Sequence, residues 1–293
     1  KVTRQQLPFA HCGTRYSATP TGRSVDQFDF CNKLKEIEVP ESEKDETLVT
    51  PVFTTAFRSA LGGLLWLCLT RDDLMADVSI LQASVTKCTY GHLRLANQVV
   101  RKAKKDGQTL CLHYRNFPSN VSWRLLNIND SGAASKERDY AQDGIMTFLT
   151  PDVEDGTEES NDPVVSIELS DRQAVELSTF AHQLFAQASK SKRICTSTSH
   201  GETLSAVGGR EISQLIAMRY AEIYHPDNKP SLTKLIAIQE TGSWPIPVDM
   251  ATDCNDLFEL VTGEKGIPQD KGQRLYVLSL REDRLLNKIR KLY

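Results

Sequence analysis

The chain contains 293 residues, of which 40% are hydrophobic and 25% are charged, and it carries a net charge of -3 at pH 7. This length is sufficient for two globular domains with buried cores. The charge excludes a strongly basic protein, but a near-neutral total can conceal basic faces, so it neither selects nor excludes a nucleic-acid partner. The longest apolar run, at 60–69, is much shorter than the ~20 residues that cross a bilayer, and we predict no membrane-spanning segment.

Seven cysteines are scattered along the chain without any C-x-x-C pair. An odd number with no metal-binding spacing indicates reduced thiols, and hence an intracellular protein, better than disulfides or a zinc site. The chain begins at Lys1 in strand-like sequence, so we expect it to be a piece of a longer protein.

The first part of the chain contains a predicted helical region. Residues 38–51 are acidic and flanked by proline, which indicates a surface linker. From 57 to 107, apolar residues recur at i, i+3, i+4 and i+7 in three stretches, which predicts three packed helices. After Gly107 the pattern changes to alternation, and we place a domain boundary near 107–120.

The rest of the chain mixes strand and helix patterns, which predicts an α/β domain with a mixed sheet. Strands are predicted at 109–115, 122–130, 144–150, 191–199, 245–253 and 288–293. Helices are predicted at 170–190, from His200 to Pro226, at 254–263 and at 271–286. The segment 151–163 is acidic and poor in apolar residues, so we predict an exposed insertion that, with the start of the following helix, covers 151–187.

Three acidic residues have positions that could bring them together. Asp130 ends a predicted strand, Glu202 lies in the first turn of a predicted helix, and Asp253 ends another strand. Acids delivered in this way can converge on a hard divalent ion such as Mg²⁺, and two such ions ~4 Å apart support phosphodiester cleavage. Taken singly, each acid also fits a turn, a helix cap or a favourable charge at a helix start. Only their order and flanking sequence favour the metal interpretation.

The most specific pattern lies between Phe57 and Lys105. FRSALGGLLWLCLTRDDLMADV resembles Y-R-S-x-x-G-S-L-L-Y-L followed by T-R-P-D-I-x-x-A-V, and a histidine and a basic helix come next. This is the pattern of Ty1/copia-type retrotransposon Pol polyproteins, from the end of the reverse transcriptase into the ribonuclease H domain. The matching residues are Arg58, Ser59, Gly62, Leu64, Leu65, Leu67, Thr70, Arg71, Asp73, Val78 and His92.

Shorter motifs follow in the same order as in that family. NINDSGAAS resembles S-D-A-D-W-A-G, which carries the first catalytic Asp, here Asp130. TSTSHGETLSAV resembles S-S-T-E-A-E-Y-M-A-L, in which the second Glu corresponds to Glu202, and ATDCNDLFELV resembles Y-C-D-N-Q-S-A-I-x-L-A, in which the Asp corresponds to Asp253. The resemblance thus implies that Asp130, Glu202 and Asp253 are the catalytic, metal-binding acids.

The resemblance also implies a fold and a domain order. It implies a ribonuclease H-like mixed five-stranded sheet with flanking helices, preceded by a mainly helical thumb or connection segment. Residues 1–50 would be the end of the reverse transcriptase with its linker, 51–112 the helical segment, and 113–293 the ribonuclease H-like domain with its insertion.

Two departures from the family pattern stand out. Arg274 occupies the place of the family's fourth acid, for which Asp270 and Asp283 are nearby substitutes that also fit solvated surface acids. Asp249 is a second-choice third ligand. The other departure is the insertion at 151–187. The polymerase motif Y-x-D-D is absent from this sequence, so no polymerisation is inferred.

Basic residues supply candidate nucleic-acid contacts, although each cluster also fits a solvated face. The basic clusters are Arg101, Lys102, Lys104 and Lys105; Lys190, Lys192 and Arg193; and Lys288, Arg290 and Lys291.

The histidines His92 and His200 fit packing or hydrogen-bonding roles better than catalysis.

The function implied by the resemblance is cleavage of the RNA strand of RNA/DNA hybrids by two-metal hydrolysis during reverse transcription. The resemblance implies a pair of Mg²⁺ or Mn²⁺ ions as the cofactor. The partners would be the hybrid and the upstream reverse transcriptase domain of the same polyprotein. The location would be a cytoplasmic particle or the nucleus. Two alternatives stay open: a noncatalytic retroelement remnant or connection-like nucleic-acid-binding scaffold, and an unrelated metal-dependent nuclease of the same fold.

Overall fold

The computed structural model describes residues 5–107, 109–116, 121–132, 140–152, 180–191, 195, 197–224 and 231–293. The chain divides into two compact units: the first comprises 1–117 with 187–192, and the second comprises 118–186 with 193–293. Within the described ranges, no helix combines the length and the apolar character that crossing a membrane requires.

The first unit contains a four-stranded sheet in the order β1-β2-β3-β4, in which each neighbouring pair is antiparallel. Three of its strands come from the start of the chain, and the fourth follows the helices. The prediction of strands in these two regions is therefore confirmed. The strands are β1 (Phe9–His11), β2 (Thr14–Thr19), β3 (Gly22–Asp26) and β4 (Leu112–Arg115).

The helices of the first unit pack around one apolar core. The three helices predicted between 57 and 107 are confirmed as α2, α3 and α4, and their i, i+3, i+4 apolar positions form the core, in which Phe57, Leu64 and Leu93 are fully buried. The helices of this unit are α1 (Phe28–Lys33), α2 (Pro51–Leu67), α3 (Met75–Ala83) and α4 (Tyr90–Lys105).

His92 fixes the start of α4. The backbone N–H of Thr89 donates to His92 Nδ1 over 3.1 Å, and the Thr89 hydroxyl lies 3.0 Å from the same nitrogen, so the two residues form a capping box. Burial lowers the pKa of His92, which favours the neutral ring that can accept this bond. The hydrogen-bonding role expected for His92 is confirmed.

The second unit is built on a mixed five-stranded sheet in the order β7-β6-β5-β8-β9. Strand β5 is antiparallel to β6 and parallel to β8, and β8 is parallel to β9. The predicted α/β class with a mixed sheet is confirmed. The strands are β5 (Trp123–Gly132), β6 (Gln142–Pro151), β7 (His182–Lys190), β8 (Val248–Ala251) and β9 (Lys291–Leu292).

Among the described residues of this unit, four helices accompany the sheet, and the longest, α5, packs directly on β5 and β6. Its contact face carries small residues, among them Ala206, Ser213 and Ala217. A Cβ atom on Gly209 would lie 2.2 Å from Asn127 Oδ1 of β5, so the close approach of helix and strand requires glycine there. The helices are α5 (Thr198–Tyr224), α6 (Leu232–Thr241), α7 (Asn255–Thr262) and α8 (Lys271–Leu285).

One predicted helix is wrong over its described residues. Residues 182–190, expected to end a helix that begins at Ser170, form strand β7, and no strand is found among the described residues of 191–199. The apolar positions Phe180, Leu184 and Phe185 fit a helical spacing, but pairing at the edge of the sheet overrides that weak signal. The remainder of the proposed insertion, 153–179, lies outside the described residues.

A buried ion-pair network joins four strands of this sheet, β5, β6, β8 and β9. Asp249 on β8 is fully buried and accepts hydrogen bonds from Arg124 on β5 at 2.9 Å and from Arg290, just before β9, at 2.7 and 2.9 Å. Arg290 also binds both oxygens of Asp152, next to the end of β6, at 2.7 and 2.8 Å. The single side chain of Arg290 therefore links β8 and the end of β6 to the start of β9.

Removal of that arginine should strongly destabilise the protein. We expect Arg290→Ala to lower the free energy of unfolding by about 3 kcal/mol, because it leaves Asp152 without its arginine and the fully buried Asp249 with Arg124 alone. Arg219→Ala is the matched control, since Arg219 forms an exposed pair with Glu222 and its loss should cost less than about 0.5 kcal/mol. Denaturant unfolding of both variants measures the difference, and equal small losses would contradict a structural role for the network.

Candidate metal centre

The parallel pairing of β5 and β8 places two acids side by side. In the register of the two strands, Ile128 lies opposite Ala251. Asp130 and Asp253 each follow two residues later, at the carboxyl ends of the paired segments, and both side chains are exposed. Asp130 belongs to β5 itself and lies opposite Gly144 of β6, so it is not a turn residue. Asp253 lies between β8 and α7.

The beginning of α5 brings Glu202 to the same strand ends. The hydroxyl of Ser205, one turn later, donates to the carbonyl oxygens of Asp130 at 2.9 Å and Gly144 at 3.2 Å. Gly201 permits the contact, because a Cβ atom there would lie 2.8 Å from Ser131 Oγ. These contacts tie the helix start to the ends of β5 and β6. Glu202 itself is only 4% exposed, which differs from the solvated charge usual at a helix start.

The three acids predicted from sequence form one cluster. Asp130, Glu202 and Asp253 each offer a carboxylate oxygen, and these atoms all lie within 4.8 Å of one another. Two of the side chains face solvent and the third is buried. Like charges at this spacing repel strongly unless a proton or a cation is bound.

The electrostatics of Glu202 show this repulsion. Burial, assisted by the charges of Asp130, Asp253 and Asp143, raises the pKa of Glu202 to about 7, while a backbone hydrogen bond with Ser131 opposes the shift. Its Oε2 atom is buried and has no hydrogen-bond partner among the described residues. A buried carboxylate oxygen without a partner, beside two exposed carboxylates, fits a hard divalent cation, which prefers oxygen ligands. The donor set suits Mg²⁺ or Mn²⁺ and does not discriminate between them.

The alternative acids lie elsewhere. Asp249 is enclosed by Arg124 and Arg290, so the structure does not place this second-choice ligand in the cluster. Asp283 is buried and paired with Arg210 and Lys288, which corrects its interpretation as a surface acid. Asp270 caps α8, where its Oδ1 accepts from the backbone N–H of Gln273 at 2.9 Å. None of the three belongs to the cluster of carboxylates.

Arg274 does not enter the cluster either. Its side chain is exposed, and its Nε donates to the carbonyl oxygen of Pro268 at 3.2 Å. The neighbouring Gln273 points inward instead, where its Nε2 donates to Ser199 Oγ at 2.9 Å and to Thr203 Oγ1 at 3.2 Å. In the first turn of α8, Gln273 thus holds Ser199 and Thr203, which flank Glu202, while the Arg274 side chain is directed to Pro268.

Several of the basic candidates are already engaged by acids. Arg101 pairs with Glu36, and Lys102 pairs with Asp77 at 3.0 Å, all on the first unit. Lys288 and Arg290 take part in the ion pairs of Asp283 and Asp249, while Lys190 is exposed and Lys291 is half-buried. Lys104 and Lys105 are exposed, and no ion pair joins them to another described residue. Lys192 and Arg193 lie outside the described residues.

The sequence did not single out Asp143, Ser131 or Gln273. The strand predicted at 144–150 begins one residue after Asp143, whereas β6 begins at Gln142 and includes Asp143. Ser131 and Gln273 are common polar residues whose importance depends on which helix packs against them. The register pairs Asp143 with Ser131 and not with Asp130, so pairing β5 with the start of β6 would have linked Asp143 to Ser131, since cross-strand neighbours share one face.

Comparison of the chain with protein-family models, with curated proteins and with solved structures finds no match. The interpretation of the centre therefore depends on its own residues and on the motifs of the sequence.

Neutralising the buried acid should remove a pH dependence of stability. The pKa of Glu202 is raised by folding, so its favourable contribution is fully present below pH ~4.5 and is lost as pH rises through about 7. In chelator, we expect the wild-type protein to lose on the order of 2–3 kcal/mol of unfolding free energy between pH 5 and pH 8 from this group, and Glu202→Gln to lack that loss. Denaturant titrations at both pH values give the free energy of unfolding of each protein. An equal change in this free energy between the two pH values would contradict the assignment.

Proposed function

We propose that the second unit is a ribonuclease H-type nuclease domain of a Ty1/copia-type Pol polyprotein, which cleaves the RNA strand of RNA/DNA hybrids. The observation that carries the proposal is the convergence of Asp130, Glu202 and Asp253. These are the three acids that correspond to the family's catalytic residues, and they come from three separate parts of the sequence.

The order and direction of the strands support the proposal, in addition to the α/β class of the unit. The strand order β7-β6-β5-β8-β9, with β8 and β9 parallel to β5 and the long helix α5 between β7 and β8, fits a ribonuclease H-like sheet. In the first unit, the strands and helices α1 to α4 fit the end of a reverse transcriptase followed by a helical thumb or connection segment.

The chemistry follows from the arrangement of the acids. Asp130, Glu202 and Asp253 would hold the divalent ions, which supply charge neutralisation and activation of water for hydrolysis of a phosphodiester. The exposed carboxylates of Asp130 and Asp253 lie on the side that a nucleic-acid backbone can reach. Glu202 closes the buried side and, with a pKa of about 7, holds a proton on its carboxyl group near neutral pH when no cation is bound.

Nucleic-acid contacts outside the centre form a separate part of the proposal. Lys104 and Lys105, exposed at the end of α4, are the best placed of the basic candidates, because an uncompensated lysine is free to bind phosphate. Arg101 and Lys102 would exchange their present carboxylate partners for phosphate. Such contacts give affinity without sequence preference.

A noncatalytic scaffold is the second candidate, and the position of Arg274 favours it. The first turn of α8 offers an exposed arginine where the family pattern has its fourth acid. A retroelement remnant that binds nucleic acid without cleaving it would tolerate this change.

Cleavage of a labelled RNA/DNA hybrid tests the two candidates. We expect the full chain to cut the RNA strand in Mg²⁺ or Mn²⁺, chelator to abolish cutting, and Asp130→Asn to slow it by more than about 100-fold, because the loss of a metal ligand exceeds the cost of losing a supporting contact. Glu211→Gln, on the exposed face of α5, is the matched control and should cut at the wild-type rate.

Two results would count against the nuclease. Absence of cleavage in both metals with hybrid binding intact favours the scaffold. Cleavage that survives Asp130→Asn removes the proposed centre from the reaction.

A further inference from the structure

Strand β6 carries a fourth carboxylate beside the cluster. The register pairs Ser131 with Asp143, immediately next to the pair Asp130 and Gly144. Ser131 Oγ donates to Asp143 Oδ1 at 3.1 Å. Asp143 therefore lies at the same strand ends as Asp130 but on the neighbouring strand, and its side chain shares the sheet face of Ser131, against which the start of α5 packs.

Ser131 links this carboxylate to the helix that carries Glu202. Its side chain is buried and lies so close to α5 that a Cβ atom on Gly201 would meet its hydroxyl oxygen at 2.8 Å. One side chain thus contacts both Asp143 and the residue before Glu202. The position of Asp143 relative to the centre is set by this contact and by the pairing of β5 with β6.

The charges indicate what the fourth carboxylate does. The charge of Asp143, like those of Asp130 and Asp253, disfavours ionisation of Glu202 and contributes to its raised pKa. A single divalent cation neutralises two of three carboxylates and leaves one negative charge uncompensated. Four carboxylates, in contrast, carry the charge that two divalent cations neutralise. Glu202 Oε2, buried and without a hydrogen-bond partner among the described residues, is an independent sign that the centre is built to receive cations.

We propose that Asp143 is the fourth carboxylate of the centre and holds a second divalent cation beside the one held by Asp130, Glu202 and Asp253. The inference rests on the proposed function, and it assigns the second ion to strand β6 rather than to the first turn of α8. The substitutes considered for the fourth acid are bound elsewhere: Asp283 by an arginine and Asp270 by the cap of α8. Asp249, the second-choice third ligand, is likewise bound by arginines.

Titration of the full chain with Mn²⁺, followed by electron paramagnetic resonance and calorimetry, tests the assignment. The wild-type protein should bind two ions. Asp143→Asn should keep the first ion and bind the second about 10- to 100-fold more weakly. Its amide oxygen can still accept the bond from Ser131, so the fold should be retained, which thermal unfolding checks.

Three further variants complete the design. Glu211→Gln removes one exposed carboxylate from α5 and should bind both ions as the wild type does. Asp143→Glu restores the charge and should restore binding of the second ion. Asp143→Ser removes the carboxylate with a smaller side chain, and it replaces Asp143→Asn in the titration if that variant fails to fold.

The outcomes separate this inference from the proposed function. Two ions in the wild type and one in Asp143→Asn support it, whether or not the protein cleaves a hybrid. Unchanged binding of both ions in Asp143→Asn overturns it, and hybrid cleavage by the wild type would then leave the nuclease proposal intact. A wild-type protein that binds only one ion also overturns it.

Discussion

The second unit depends on the pairing of two arginines with one buried carboxylate. Asp249 has no contact with solvent, and a charge in such a position is tolerated only when its partners are also in place. Arg124 and Arg290 come from opposite ends of the unit, so the ion pairs fix how β5, β8 and the segment before β9 lie beside one another. The register of β5 and β8 then decides that Asp130 and Asp253 are neighbours. The candidate centre is thus a consequence of a network that contains none of its ligands.

The approach of α5 to the sheet is the second constraint. Small residues and Gly209 let the helix lie close against β5, and Ser205 bonds the strand ends directly. The result is an asymmetric centre, with Glu202 on the buried side and two acids on the open side. That asymmetry explains why burial dominates the pKa of Glu202. It also gives a cation an approach from solvent toward one carboxylate oxygen, Glu202 Oε2, that has no hydrogen-bond partner among the described residues.

Much of this organisation could be predicted from the sequence. The helices α2 to α4 follow from regular apolar spacing, and the three acids follow from their order and flanking motifs. The rest depends on tertiary contacts that no local pattern records. Strand β7 has a helix-like apolar spacing and is determined by pairing at the sheet edge. Asp249 and Asp253 lie four residues apart, and the flanking motif prefers Asp253, but no local pattern shows that Asp249 is enclosed by arginines while Asp253 faces solvent. Arg274 stands where an acid was expected, but only the orientation of α8 shows that it points away and that Gln273 points inward.

The distance along the chain between Arg124 and Asp249 has a consequence for biosynthesis. The two residues are 125 positions apart, and Arg290 comes later still. Contacts of such long range form late, because loop closure must precede the interactions that reward it. During synthesis, β5 and β6 emerge well before β8, so the nascent chain exposes Asp130 without Asp253. The acids can meet only after the last strands have joined the sheet, and cation binding would then favour the completed fold over its precursors.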